Sequence, residues 1–285
     1  MSYPPAERAR CRIVCTPIGN LSDLTPRAAK ALMEADLIFA EDTRTAKNLL
    51  HHLNISKPIE SYHKDNERSA VLAILAKLEE GRKVVLISEA GMPGISDPGF
   101  LLVRTLIESD LPFEVLPGVS AAVHAAAASG LCKDGRYMFA GFLPHKGIEK
   151  ALEKFINIPC PIVFYESPHR VKKTVELLLL YFPAPVAVCR ELTKLHEEIV
   201  WVHNMDEFAK ITVKGEFCLV VDNSKATPTN TKPLIYTIDT VDTEKIAKLL
   251  ADNGTSVKVT AEVLKTIGMK RNEAYEMAES TKNSV

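Results

Sequence analysis

Four stretches of this 285-residue chain set small or charged residues where an apolar run ends, the placement expected of ligand-binding loops in an open α/β sheet. The first is Thr16-Pro17-Ile18-Gly19-Asn20-Leu21. A glycine after a strand lets a ligand approach the backbone, but this is not GxGxxG and no Walker A sequence occurs; alone it also reads as a plain turn. The second, Ser88 to Gly99, holds three glycines and two prolines in twelve residues, which makes a structured loop. Glu89, directly after the apolar run, reads as facing a ligand's amine or hydroxyl, whereas Asp97 before Pro98 reads as the N-cap of the next helix. The third, Pro117-Gly118-Val119-Ser120-Ala121-Ala122, is a strand-to-helix turn whose small side chains leave room for something flat. The fourth group is Phe164-Tyr165-Glu166-Ser167-Pro168-His169-Arg170 together with Arg190-Glu191-Leu192-Thr193-Lys194, Glu197 and Glu198. Charges at strand ends are costly to bury without partners; a salt-bridge network accounts for them, and so does a site for an anionic or hydroxyl-bearing substrate. His169 alone suits a helix start better than a base. No His/Cys/Asp set has metal spacing and no GxSxG elbow occurs, so no metal is expected.

The elements that position these loops alternate through the first half. Arg12–Thr16, Leu37–Ala40, Val84–Ser88 and Phe113–Leu116 read as strands. Helices are expected at Pro26–Glu34, capped by Thr25, near Thr43, at Asp65–Glu80 and at Ser120–Ser129. This βαβα order predicts a parallel or mixed α/β sheet as a first domain, residues 1–130. Gly130–Arg136 reads as a joint. The second domain, residues 131–222, mixes helices near Ile148–Asn157 and His169–Tyr181 with strands Met138–Phe142, Ile162–Tyr165, Val186–Arg190, Ile199–Val202 and Phe217–Val221. Closely spaced strands there predict an antiparallel pair in a mixed sheet. Asn223–Lys232, rich in Ser, Thr, Asn, Lys and Pro, begins a linker spanning 223–242. Thr243–Ala251, Val259–Thr266 and Arg271–Glu279 are helical patterns of a small appendage at 243–285, with a helix-turn-helix look at Ala261–Met277 that suits a packing or dimerisation role equally well.

Composition narrows the classes. Hydrophobic residues make up 46% and charged residues 25%, the profile of a globular protein rather than a disordered, collagenous or coiled-coil one. Lys and Arg total 35 against 36 Asp and Glu, a net charge of −1, which excludes a uniformly basic nucleic-acid coat while allowing a local basic groove. The six cysteines are scattered, without CxxC, and read as buried free thiols. The polar start MSYPPAERARCR has no signal-peptide core, and the aliphatic cluster Val175 to Phe182 is too short to span a bilayer. A soluble cytoplasmic protein with no membrane partner is expected.

Thr16–Leu21, Ala40-Glu41-Asp42-Thr43-Arg44, Gly94–Gly99, Pro117–Ala121, Gly141-Phe142-Leu143-Pro144, Phe164–Arg170 and Arg190–Lys194 follow one another in a set order. In that order the chain resembles the bacterial 16S rRNA cytidine-2′-O-methyltransferases of the tetrapyrrole-methylase superfamily, over about residues 12–222 and more loosely in the helical tail. The resemblance implies two α/β domains around a cleft that binds S-adenosylmethionine in a folded shape. Pro17, Gly19, Glu89, Met92, Pro93, Gly94, Ser120 and Ala121 would line the donor from the first domain, and Tyr165, Leu192 and Gly215 would close it from the second. Where the family usually has Ser-Asp-Ala-Gly-Thr-Pro, this chain has Ser88-Glu89-Ala90-Gly91-Met92-Pro93; Glu keeps the charge with an added methylene, and Met replaces a hydroxyl.

The implied reaction moves an already activated methyl to a ribose hydroxyl, so placement dominates. A base helps as the hydroxyl loses its proton, and Glu166 and Glu41 are the candidates. Arg44, Lys64, Lys146, His169, Arg170 and Lys194 are the candidates to meet RNA phosphates or balance those carboxylates. The implied partner is 16S rRNA in the small ribosomal subunit, near the decoding centre, met by a homodimer. A chain of net charge −1 holds free RNA weakly, so the assembled subunit is the expected substrate. A corrinoid or other small-molecule methylase, or a non-catalytic RNA-binding assembly factor, are the alternatives.

Overall fold

A computed structural model describes residues 9–182, 184–225, 243–266 and 269–282. The chain divides into a unit spanning Met1–Thr229 and a second spanning Asn230–Val285. In the first unit β1 (Cys11–Val14), α1 (Pro26–Glu34), β2 (Leu37–Ala40), α2 (Thr43–His52), β3 (Ile59–Ser61), α3 (Glu67–Glu79), β4 (Val84–Ile87), α4 (Phe100–Glu108), β5 (Phe113–Leu116) and α5 (Ala121–Ser129) alternate. Their strands form one sheet in the order β3-β2-β4-β1-β5, every pair parallel. The central strands β2 and β4 are buried along their whole length, as continuous apolar runs covered on both faces require. Two apolar layers flank the sheet, one built on Phe39, Ile74, Leu86 and Leu102, the other on Ala28, Leu32, Ile38 and Ile87. The edge strand β3 is not apparent in the sequence, because its three residues are mostly exposed and carry little apolar pattern.

The second sheet comprises β6 (Met138–Phe142), β7 (Ile162–Glu166), β8 (Val186–Arg190), β9 (Glu198–Val202) and β10 (Phe217–Val221), in the order β6-β7-β10-β8-β9. Only β6 and β7 run parallel; β10 pairs antiparallel with β7 and β8, and β8 with β9. Helices α6 (Ile148–Leu152), α7 (Val171–Tyr181) and α8 (Met205–Phe208) complete it; α6 ends five residues before the expected Asn157 and continues as turns. Helix α5 packs on this sheet through Ala122, Ala125 and Ala126 against Val163, Cys189 and Val220. Chain order assigns α5 to the first half, whereas packing assigns it to the second. Ala-rich sequence is what lets the helix lie so close to a β face.

Four of the six free cysteines, Cys11, Cys15, Cys189 and Cys218, are buried; burial pushes the Cys11 and Cys189 thiols up to about 12. Among the described residues no group of three His, Cys, Asp or Glu could hold a metal ion, and no helix is long and apolar enough to cross a membrane. In the second unit α9 (Thr243–Asp252), α10 (Val257–Thr266) and α11 (Arg271–Lys282) pack around Ala247, Ala261, Leu264, Ala274 and Ala278. Most of the expected linker, from 226 on, lies outside the described residues, as does Gly268.

The linker does not begin at Asn223. That side chain is 4% exposed and its amide nitrogen donates to the carbonyls of Phe155, Ile156 and Ile158 at 3.0, 2.9 and 2.8 Å. Phe155 O and Ile158 O also accept from the backbone of Ile158 and Cys160, so the amide ties the turns after α6 together and supplies a partner for Ile156 O. Asn223→Ala should therefore cost about 1–3 kcal/mol, read as a lower urea midpoint with an unchanged m-value; an unchanged midpoint would show that water replaces the amide without loss.

Candidate active site

The loops that follow β1 and β4 are joined by a two-residue antiparallel bridge: Thr16 N donates to Gly91 O at 2.9 Å and Gly91 N to Thr16 O at 3.1 Å. Gly91 sits at φ +80°, where a side chain would strain the turn. The rest of the second loop is fixed on itself, with Gly94 N donating to Pro98 O and Ile95 N to Met92 O. Its far end is held by Glu67, whose Oε1 accepts from Gly99 N at 3.0 Å and from the Tyr62 hydroxyl at 2.8 Å. Gly99, at φ +144°, occupies the cap position of α4. Asp97 is therefore not the N-cap that Asp-Pro-Gly suggested, and Pro98 does not open the helix. Its carboxyl is instead turned into the loop cluster.

Three carboxylates gather there, Glu41 from the end of β2 and Glu89 and Asp97 from the loop after β4. Burial, then the charges of Glu41 and Glu89, push the Asp97 carboxyl up to about 7. Burial likewise raises Glu41, opposed by a hydrogen bond from the Glu89 backbone and reinforced by the Glu89 charge, and Glu41 Oε2 is buried without a hydrogen-bond partner. Uncompensated carboxylates in a partly dry site favour a cation or a hydroxyl donor as ligand. Of the residues expected to line a ligand, Gly19, Glu89, Met92, Pro93 and Gly94 belong to the bridged loops, with Pro93 buried and Glu89 exposed.

The opposite wall comes from α5 and the second sheet. Tyr165 lies between Phe139 and Phe142, edge to face at 4.8 and 5.5 Å, and its hydroxyl accepts from Ala122 N at 3.1 Å. Burial raises that phenol to about 12. Ser120 caps α5 by position but makes no side-chain cap bond; it meets the Tyr165 hydroxyl instead. Ile18 and Leu192 join the apolar layer under α5, and a Cβ on Gly19 would strike the Lys194 stem and Thr193 Oγ1. Glu191 and Thr193 both have positive φ, +51° and +65°. A β-branched residue held there is a true outlier. Gly215 supports this turn from behind: its Cβ position is filled by the Glu191 side chain, so it makes room for Glu191 rather than for a ligand.

The charged residues divide. Glu166 is 2% exposed; its Oε1 accepts from Ser167 N at 2.7 Å and from Arg170 Nε at 2.9 Å, and its Oε2 accepts from the Thr174 hydroxyl at 2.7 Å. With both oxygens occupied, Glu166 orients Arg170 and does not serve as a free base. Arg170 donates in turn to the carbonyls of Leu143 and Pro144, pinning the β6 and β7 loops together. Lys194 is likewise internal, 2.9 Å from both Glu191 and Glu216. Arg44, 88% exposed beside Asp42, and exposed Lys64, Lys146 and His169 remain open to solvent. They follow the carboxyl ends of β2, β3, β6 and β7 respectively.

Two outcomes follow from this arrangement. Because Asp97 holds its proton in the folded chain well above the unfolded carboxylate range, stability should fall as pH rises from about 4 to about 7 and then level. Asp97→Asn should raise Tm at pH 8 and leave it unchanged at pH 4; an equal effect at both would show that charge is not what burdens the site. Gly19→Ala should lower Tm by forcing the Lys194 stem aside, and an unchanged melt would show that the stem swings away freely.

The sequence profile of the Tetrapyrrole (Corrin/Porphyrin) Methylases matches residues 10–209. Ribosomal RNA small subunit methyltransferase I of Halalkalibacterium halodurans is 44% identical over 218 residues, 74% of this chain and 75% of that protein. The protein of the same name from Synechocystis sp. is 36% identical over 274 residues, 93% and 96% of the two chains. Among solved structures, a diphthine synthase superposes with a TM-score of 0.59 at 13% identity, covering 74% of this chain and 88% of its own. A cobalt precorrin-4 methyltransferase superposes with a TM-score of 0.57 at 19% identity, covering 76% and 96%. The structures carry the fold alone; together with the sequence relatives and the profile match, they show that this chain belongs to the tetrapyrrole methylases and, within them, to the ribosomal RNA small subunit methyltransferase I family.

Proposed function

We propose that this protein transfers a methyl group from S-adenosylmethionine to the 2′-hydroxyl of a cytidine in 16S rRNA, within the small ribosomal subunit near the decoding centre, and that it works in the cytoplasm as a homodimer. The observation that supports the donor most directly is the carboxylate cluster of Glu41, Glu89 and Asp97, whose field suits a molecule bearing a sulfonium and an ammonium. The unpartnered Glu41 Oε2 and the small-residue wall of Ser120 and Ala121 leave groups and space for it. When bound, the donor supplies an electrophilic methyl that needs no further activation. The relatives' name supports the acceptor.

What the chain's own residues contribute is then positioning and proton management. Gly19 brings the β1 loop against the turn at Leu192–Lys194, which sets the spacing of the two walls, and Tyr165 ties the start of α5 to β7 within the second wall. Glu41 and Asp97 are the carboxylates placed to orient the acceptor hydroxyl or take its proton, in the role first expected of Glu41 and Glu166. Arg44, Lys64, Lys146 and His169 meet the RNA backbone. Arg170 and Lys194 shape the loops from within.

The test is calorimetric titration with S-adenosylmethionine followed by tritiated-methyl transfer to small ribosomal subunits and to naked 16S rRNA. Micromolar donor binding with transfer favouring subunits is expected; absence of donor binding even with subunits present would leave an RNA-binding assembly factor as the better reading. In the same assay Glu41→Gln should lower kcat by about 10²-fold or more, and Asp97→Asn should flatten the pH profile. Full turnover in Glu41→Gln would remove its proton role.

A further inference from the structure

Gly99 is buried where the second loop meets α4, so its backbone N–H needs a partner. Asp97 stands two residues before it, the spacing at which an Asp side chain accepts from the backbone in an Asx turn. The bond goes elsewhere. Glu67, the first residue of α3, reaches Gly99 N from another element and accepts at 3.0 Å. The same Oε1 accepts from the Tyr62 hydroxyl at 2.8 Å. Tyr62 is 1% exposed and belongs to the core layer of Phe39 and Leu102, so it offers Glu67 a fixed anchor. Tyr62 N donates in turn to Ala40 O at 2.8 Å, beside Glu41 in the chain. The linked bonds therefore run from the neighbour of Glu41 to a residue just beyond Asp97.

We propose that Glu67 is a positioning residue for methyl transfer: by occupying Gly99 N it keeps Asp97 out of the local turn and leaves its carboxyl directed to Glu41. The inference rests on the methyl-transfer reading above and adds what holds one of its two carboxylates in place.

One N–H makes one well-aligned bond, so Glu67 and Asp97 compete for it, and the outcome decides where Asp97 goes. The backbone between has little room to adjust. Gly91 is bridged to Thr16, Gly94 N donates to Pro98 O at 3.1 Å, and a Cβ on Gly99 would lie 2.9 Å from Gly94 N. Released from the turn, Asp97 faces Glu41 from the end of β2, Glu89 and the Ser88 hydroxyl from its own loop, and Glu216 from the segment before β10. The Tyr165 phenol faces it from β7. Glu41 faces Glu89 and His63, and Arg44 faces Glu89. In that company burial and the neighbouring carboxylates push Asp97 up to about 7. With Gly99 N as its partner it would ionise at lower pH, because a hydrogen bond to the charged form favours that form. Glu67 thus governs, through Asp97, the pH at which the carboxylate pair changes charge.

The experiment compares wild type with Glu67→Leu, Glu67→Ala and Glu67→Gln. It reads Tm at pH 4 and pH 8, and the pH profile of kcat for methyl transfer to small ribosomal subunits at saturating donor. Leu and Ala remove the acceptor and release Gly99 N to Asp97; Gln returns an oxygen to the same place without the charge. For Leu and Ala, the loss of Tm relative to wild type should be larger at pH 4 than at pH 8. Only the wild type then carries an Asp97 whose ionisation burdens the fold as pH rises. The limb of kcat that depends on Asp97 should move down by at least about one pH unit. Gln should keep the wild-type pH dependence in both readouts. An equal loss of Tm at the two pH values, an unmoved limb, or a Gln variant that behaves like Leu each overturns the proposal; one folded member of the Leu and Ala pair is enough. Failure of the wild type itself to methylate subunits is a different result, and removes the methyl-transfer reading and this proposal with it, whatever the Tm comparison shows.

Discussion

Two hydrogen bonds, exchanged between the backbones of Thr16 and Gly91, hold the loops after β1 and β4 at one fixed separation. Almost everything at the carboxyl edge of the first sheet is placed by that bridge. It delivers Glu89 to the cluster with Glu41 and Asp97, and it presents Pro17 and Gly19 to the turn at Leu192–Lys194. The Thr16 hydroxyl beside it is buried without a hydrogen-bond partner. A backbone bridge suits this position because its geometry does not depend on protonation, while the carboxylates beside it do.

The positive and negative charges of the loops serve opposite ends. Glu166 with Arg170, and Lys194 with Glu191 and Glu216, are ion pairs closed within the chain. Removing Arg170 leaves the buried Glu166 carboxylate short of its cation, whereas the Lys194 pairs are part-exposed and hold the shape of the loop. The carboxylates Glu41 and Asp97 have no such partner, and their ionisation is correspondingly suppressed. The backbone outliers at Glu191 and Thr193 stand on the same rim. Electrostatic and backbone tension are thus concentrated in the loops at the strand ends, which the regular elements behind them hold in place.

Most strands and helices are legible in the sequence because their signals are local. Val186–Arg190, Phe217–Val221 and Leu37–Ala40 are short apolar runs bounded by breakers, and each forms a strand over those residues. Thr25 with Pro26 marks a helix start for steric and hydrogen-bonding reasons that need no tertiary context. The same local rule fails at Asp97, where Glu67, thirty-two residues away from Gly99 in sequence, captures Gly99 N and moves the cap by two residues. It fails again at Asn223, whose linker-like neighbourhood hides three carbonyl acceptors on a distant turn.

The sequence by itself determined the order of most elements, β3 and α8 apart, the four loops at the strand ends and, through their succession, the family. Residue type and short-range spacing are enough for that, since strand, turn and cap preferences act over a few residues. Only the tertiary structure decided which charged groups are spent and which are available. Glu166 and Glu41 look alike as acids near strand ends, yet one is saturated by Ser167, Arg170 and Thr174 while the other keeps an oxygen unpaired. Whether a carboxylate finds its hydrogen bonds depends on groups far away in the chain and close in space. Burial and partnership are properties of the packed molecule, and the chemistry of the site follows from them.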